Sequence, residues 1–405
     1  MQDSEEDMAN QIVDGLLGFV DSVVVPLEQA NAEILENWRL ATDERGAHSD
    51  AVRGLLAKVR QASADAGYYA MFVPEDVGGG GLSSYILYRV WEALHHRYGG
   101  GRILPYATVA HWSSGPSVLC RYLSAQSSDA VLEPLMSGQI TSCFGMSEPD
   151  AGSDAWAMRT RAVRDGDDWV ITGTKQWTTN SPIADYIFVF AVTNETLRLE
   201  RKGGVSAFLV PVGPSGANVM SVIKMFGQPA GDEGIVSFDE VRVPAHALVG
   251  ELDKGFALAM AGVNTGRMYN AGRCVGLARW AFDMSASYAM QRSTFGKPII
   301  EHQGVSFQIV DCATEIYAGD AMARDCARRL DSGDAGINEV NMVKLFTTEM
   351  ANRVLDRCMQ VHGAMGLTNE MKLYDAWHQA RLTRIADGSS EILRRSIIGS
   401  LKKRY

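Results

Sequence analysis

Residues 144–154 read FGMSEPDAGSD, and residues 174–180 read TKQWTTN. Pro149 and Gly152 interrupt regular structure in the first stretch. Ser147, Ser153, Thr178 and Thr179 set short hydroxyls beside available backbone N–H groups. Trp177 adds a flat apolar face among them. Such an assembly suits a large ligand that has a planar heterocycle and polar edges. The same residues also make two surface turns of a β domain, and on composition both readings stand.

Outward from this pair, short β-branched and aromatic runs at residues 169–172, 186–193, 205–212, 219–225 and 234–243 are punctuated by Gly, Pro, Asn and Asp. That spacing predicts a compact β barrel or sandwich. Before it, Leu16, Phe19, Val23, Leu27, Ala30 and Ile34 recur at steps of three and four, one apolar stripe on a helix. Further helices are expected near residues 50–66, 84–97 and 114–122. Between them FVPEDVGGGGLS, residues 72–83, has four glycines but no Lys-Ser/Thr of a phosphate loop, and it predicts a flexible connection. After the β region come three helical stripes. They are Val275, Ala278, Phe282, Ala286 and Ala289; Ile309, Cys312, Ile316, Gly319, Ala323, Cys326 and Leu330; and Val343, Phe346, Met350, Val354, Cys358 and Val361. Three stripes predict an antiparallel bundle. The expected fold class is α+β, with an amino-terminal helical domain over residues 1–137, a middle β-barrel or sandwich domain over 138–250 and a carboxy-terminal helical bundle over 251–405.

The 405 residues are 46% hydrophobic, enough for two or three buried cores. With 38 Lys and Arg against 48 Asp and Glu, the net charge of -10 disfavours nucleic acid and anionic lipid as partners. Uninterrupted apolar runs are too short to cross a bilayer, so no membrane span is expected. The acidic start, MQDSEEDMAN, lacks the basic residues of a leader and points to a cytoplasmic protein. Six scattered cysteines predict reduced, buried thiols, and no ligand set calls for a metal. The pair His95 and His96 is expected at the surface.

Five stretches in a fixed order carry a resemblance: FGMSEPDAGSD, KQWTTN, QRSTFGKPIIEHQ from Gln291, QVHGAMG from Gln360, and RIADGSSEI from Arg384. Together they resemble the acyl-CoA dehydrogenase superfamily along nearly the whole chain. The resemblance implies a four-helix carboxy-terminal bundle, FAD as cofactor, an acyl-CoA substrate, electron-transfer flavoprotein as acceptor, and a homotetramer or homodimer. It implies that Phe144, Met146, Ser147, Ser153, Trp177, Thr178 and Thr179 hold the flavin ring, Ser153 also touching the CoA part. Arg292, Thr294 and Phe295 are implied to reach the flavin pyrophosphate or adenine in a neighbouring subunit, where a guanidinium fork suits phosphate oxygens. His302, Gln303, Gln360, His362, Gly363, Ala364, Ser389 and Glu391 are implied to complete the cofactor set. Asn264, Arg267 and Gly388 are the implied substrate contacts.

The reactive element is RIADGSSEI. Most of the family places a glutamate before the glycine; here the order is Ala386, Asp387, Gly388. Asp387 is therefore implied to be the base that takes the α-proton of a thioester while flavin accepts the β-hydride. By residue type alone it is also a turn aspartate or a helix cap. Its side chain is one methylene, roughly 1.5 Å, shorter than glutamate. Gly266, within NTGR, fills the position where other branches carry the glutamate. With small Ala386 beside the base, a branched, cyclic or otherwise substituted acyl group is expected. The alternatives are an oxidase or desulfinase-like enzyme on the same fold, or a flavin-containing binding protein without turnover.

Overall fold

The computed structural model describes residues 2–225 and 230–405. Its longer helices are α1 Gln2–Phe19, α2 Asp50–Asp65, α3 Ser84–Tyr98, α4 Ala125–Met136, α5 Gly255–Gln291, α6 Gln303–Asp331, α7 Ile337–His362, α8 Leu373–Thr383 and α9 Ser390–Arg404. The strands are β1 Ser142–Gly145, β2 Arg161–Asp165, β3 Asp168–Thr179, β4 Tyr186–Val192, β5 Val205–Pro211, β6 Asn218–Ile223, β7 Glu233–Pro244 and β8 Leu248–Val249, with a hairpin of β9 Ser293–Thr294 and β10 Lys297–Pro298. Contacts divide the chain into two compact units. One is helical, Met1–Val20, Ser83–Tyr106 and Asn264–Tyr405; the other, Asp21–Leu82 and Ala107–Val263, contains the sheet.

In the sheet unit the strand order is β6-β7-β3-β2-β4-β5-β8, and β1 lies parallel to β4. Strand β4 is apolar throughout because both of its faces are covered. Ile187, Val189 and Ala191 join Trp169, Ile171, Phe208 and Phe238 on one side. Phe188, Phe190 and Val192 meet Leu119, Val131 and Leu135 on the other. Strand β3 pairs with β7 along its length but slips register between Lys175 and Thr178. Just before that slip, the Lys175 ammonium is fully buried and pairs with Glu148 at 2.8 Å. It also donates to the Met146 carbonyl at 3.0 Å. Glu148 in turn accepts from the Arg159 and Thr160 N–H groups at 2.6 and 2.9 Å. Burial pulls Lys175 down to about 8. Burial also works to raise Glu148, but Lys175 and the hydrogen bonds outweigh it and hold the carboxyl below its ordinary value.

Two expectations are corrected in this unit. Residues 114–122 form only a short 3-10 turn, Val118–Tyr122, and the helix comes later as α4, capped by Ser124 and carrying Pro134 near its end. The glycines at 78–81 are not slack: Gly80 and Gly81 donate to the Ala70 and Val73 carbonyls at 3.2 and 2.9 Å. A Cβ on Gly79 would stand 2.2 Å from the Val73 carbonyl oxygen, so the chain doubles back where only glycine fits.

In the helical unit, α5 lies so close to α3 that a Cβ on Gly276 would sit 2.3 Å from the Glu92 carbonyl oxygen. Charged pairs fix the helices: Arg279 of α5 bridges Glu92 and Asp320, each at 2.8 Å. Asp331, at the end of α6, accepts from the Ser84 and Tyr85 N–H groups at 2.8 and 2.9 Å and so caps α3. The three helical stripes fall on α5, α6 and α7. The apolar stripe expected on one helix from Leu16 to Ile34 is instead divided among α1, a π-helical turn at Val20–Val24 and two short helices, Val25–Ala30 and Ala32–Glu36. The stretch Glu5–Ala30 is long and apolar enough to cross a membrane, which the uninterrupted runs had not suggested. Its first part buries Ala9, Val13 and Leu16, and Glu6 pairs with Arg89, Arg324 and Arg328, as in a helix packed on protein. His95 is not at the surface: it is buried, its Nδ1–H donating to the Trp91 carbonyl at 2.8 Å. His96 pairs with Asp283 at 2.7 Å. All six cysteines are free and buried.

Removing Glu148 strands a buried ammonium and two N–H groups at once. Glu148→Ala is expected to cost about 3–5 kcal/mol, seen as a lowered Tm. Lys175→Met leaves Glu148 its backbone donors and should cost less; the reverse order would refute the assignment of Glu148 as the hub.

Candidate active site

Phe144, Met146, Ser147, Trp177, Thr178 and Thr179 gather in the sheet unit where the loop after β1 meets the end of β3. The Gln176 N–H donates to the Ser147 carbonyl at 2.9 Å. Phe144 packs edge-on against Trp112, ring centres 4.9 Å apart. A turn closed by mutual Glu148 and Ala151 backbone bonds carries the chain out to Ser153, which is exposed. Trp177 sits in the β3 bulge with φ of 61°, a left-handed conformation that costs a bulky residue energy, and its indole is 52% exposed. Thr178 is buried, and its hydroxyl has no hydrogen-bond partner among the described residues. A strained, outward-facing indole beside an unsatisfied hydroxyl fits a planar, polar-edged ring such as a flavin.

In the helical unit the hairpin after α5 turns through Phe295 and Gly296, both left-handed, and leaves Phe295 97% exposed. Arg292 is exposed, while His302 tucks beneath, its Nε2 3.2 Å from the Thr294 carbonyl oxygen. The root of the hairpin is joined to the end of α7, where Ile299 and Val361 share an apolar cluster. His362 is buried there, stacked on Tyr288 at 4.6 Å, with Nδ1–H donating to the Cys358 carbonyl at 2.8 Å. Its Nε2 lacks a partner among the described residues. Gly363 is left-handed and ends α7; Ala364, Gln303 and Gln360 are exposed.

The third group surrounds Asp387. Its backbone is left-handed, φ 54°, followed by Gly388 at φ 96°. Asp387 does not cap α9; that role falls to Ser389, whose Oγ accepts from the Ile392 N–H at 3.3 Å, with Glu391 exposed in the first turn. Arg267 donates to the Asp387 carbonyl at 3.0 Å and to Asn264 at 3.0 Å. Lys344, fully buried on α7, donates to the Gly388 carbonyl at 2.8 Å. Asn270, one turn beyond Arg267, donates through Nδ2 to Asp387 Oδ2 at 2.7 Å. Burial pushes the Asp387 carboxyl above the ordinary aspartate value, against the pull of Lys344, Arg267 and the Asn270 hydrogen bond. Burial pulls Lys344 down to about 8 against the Asp387 charge.

Sequence reading singled out Arg267 and Asp387 but missed Asn270, Lys344, Glu148 and Lys175. The available signal was a polar residue inside an apolar pattern: Lys344 beside Val343 in a core stripe, and Asn270 between Tyr269 and Ala271.

The sheet unit thus presents a strained tryptophan among hydroxyls, and the helical unit an acidic side chain held on a left-handed loop. Comparison with known proteins shows the family. The family description "Acyl-CoA dehydrogenase, middle domain" matches residues 143–241, and "Acyl-CoA dehydrogenase, C-terminal domain" matches 253–402. The short-chain specific mitochondrial acyl-CoA dehydrogenase of Bos taurus is 33% identical over 340 residues, 84% of this chain and 81% of that one. Cyclohexane-1-carbonyl-CoA dehydrogenase of Geobacter metallireducens is 33% identical over 376 residues, 91% of this chain and 97% of that one. A solved putative acyl-CoA dehydrogenase from Mycobacterium abscessus superposes with a TM-score of 0.84 at 30% identity, covering 98% of this chain and 99% of that one. The chain belongs to the acyl-CoA dehydrogenase family, whose members are FAD-dependent oxidoreductases.

Lys344 gives the site a pH signature in stability. Its folded pKa of about 8 lies below the ordinary 10.5, so the unfolded chain binds the extra proton between those values and stability rises with pH across that window. Relative to Lys344→Met, the wild type should gain stability from about pH 8 to about pH 10.5 in parallel urea titrations; a flat difference would show that Lys344 is not buried as a cation.

Proposed function

We propose that this enzyme dehydrogenates a branched, cyclic or otherwise substituted acyl-CoA thioester between its α and β carbons, with Asp387 taking the α-proton. The observation that carries this reading is the state of Asp387. Three anchors hold its loop and its Oδ2, yet Oδ1 and the backbone N–H have no hydrogen-bond partner among the described residues. Oδ1 is then free to accept a proton, and the N–H is free to polarise the thioester carbonyl and acidify the α C–H. A carboxylate raised by burial is a better base than one in water.

FAD, when bound, supplies the acceptor for the β-hydride. In this reading Phe144, Met146, Ser147, Trp177, Thr178 and Thr179 hold its ring, and Arg292, Thr294, Phe295, His302, Gln303, Gln360, His362, Gly363 and Ala364 its dinucleotide end, with Ser389 and Glu391 beside the base loop. Ser153, Asn264, Arg267 and Gly388 contact the substrate. The substrate class is supported by the shorter base, which requires a different fit of the α-carbon, by the small exposed Ala386, and by the similarity to an enzyme named for a cyclic acyl-CoA. The reading includes electron-transfer flavoprotein as acceptor, a homotetramer or homodimer, and a cytoplasmic enzyme with domains at 1–137, 138–250 and 251–405.

The purified protein should be yellow. Under anaerobic conditions, straight, branched and cyclic acyl-CoA thioesters should bleach it at different rates, the substituted ones fastest. Asp387→Asn should keep FAD and lose about a thousandfold or more of the bleaching rate. Bleaching at the wild-type rate in that variant would remove Asp387 from the reaction.

A further inference from the structure

The base loop is held by two kinds of contact that do different things. Arg267 Nε and Lys344 Nζ donate to the carbonyl oxygens of Asp387 and Gly388, so their contact with the loop fixes its backbone. Only Asn270, among the described residues, donates to the carboxylate itself. It is 3% exposed, in a turn of α5 that otherwise buries Met268, Tyr269, Ala271 and Cys274. A buried amide costs free energy unless it is hydrogen-bonded, and at 2.7 Å only its NH2 side can face a carboxylate oxygen.

We infer that Asn270 is the positioning residue for the base, seizing Oδ2 so that proton abstraction falls to Oδ1. The inference rests on the assignment of Asp387 as base. An aspartate has two side-chain torsions. With the loop backbone clamped, the Asn270 bond fixes the second, and the remaining oxygen points one way. This compensates for the missing methylene by aim rather than reach, since near 1 Å of misplacement costs on the order of a hundredfold in rate. The charges facing the carboxylate are Arg267 and Arg273 from α5 and Lys344 from α7, with the Tyr269 phenol nearby. Those cations favour the ionised form by charge, and none of them donates a hydrogen bond to either carboxylate oxygen.

The test uses FAD-loaded enzyme carrying Asn270→Leu or Asn270→Asp. The Asp387 carboxyl is titrated by infrared difference spectroscopy, with Asp387→Asn identifying its band. Loss of the amide donor should move the midpoint to higher pH in Asn270→Leu, and further in Asn270→Asp, where two carboxyls must share a proton. The bleaching rate at saturating acyl-CoA, using the thioester that bleaches wild type fastest, should fall about 10- to 100-fold in Asn270→Leu with half-saturation within about threefold. In Asn270→Asp the rate should be lost at neutral pH and return as pH rises. That variant keeps the residue's size and carries the test should Leu not fold. An unchanged midpoint with an unchanged rate overturns the role of Asn270. Should Asp387→Asn itself bleach normally, it is the assignment of the base that fails, whatever Asn270 does.

Discussion

The sheet unit depends on one ammonium group placed where water cannot reach it. Lys175 lies on β3 one residue before the register slip, and Glu148 lies in the loop after β1; their pairing at 2.8 Å joins two segments 27 residues apart. Neither charge is tolerable alone in such a place, because the desolvation of each is offset only by the other and by the carbonyl and N–H groups around them. The loop therefore cannot leave the strand without exposing both. This fixes the bulge that turns Trp177 outward, so the strain at that residue is borne by an ion pair next to it rather than by the tryptophan's own contacts.

The helical unit solves a related problem differently. Asp387 and Gly388 both have positive φ; in their own segment the Ser390 N–H closes the loop onto the Arg384 carbonyl at 3.0 Å, but the carbonyls of the pair are held from elsewhere. The restraint comes from α5 and α7, through side chains 120 and 44 residues away that end on two successive carbonyls. Here buried cations serve as backbone anchors first and as electrostatic partners second. The carboxylate itself, among the described residues, takes its hydrogen bond from a single neutral amide, that of Asn270.

Much of the fold could be read from residue pattern. Alternation in β3 and β7 and the three apolar stripes of α5, α6 and α7 mark elements whose buried faces dominate their composition. The helix α4 escaped because SSDA and Pro134 look like loop chemistry, and its position depends on Ser124 capping and packing of Val131 and Leu135. The glycines at 78–81 suggested slackness because close backbone approach leaves no side-chain trace. In the site, motif order drew attention to Asp387 and Trp177. Glu148, Lys175 and Lys344 stayed invisible because a buried charge and a solvated one are spelled the same way, and Asn270 because its partner lies 117 residues along the chain.

Ala386 sits immediately before the clamped pair, and its N–H is already satisfied by the Leu382 carbonyl at 3.0 Å. Its side chain, exposed in this structure, takes no part in holding the loop. Bulk can thus be added or removed at this position without loosening the bonds that hold Asp387 and Gly388, so side-chain volume and loop geometry are free to vary independently at adjacent residues.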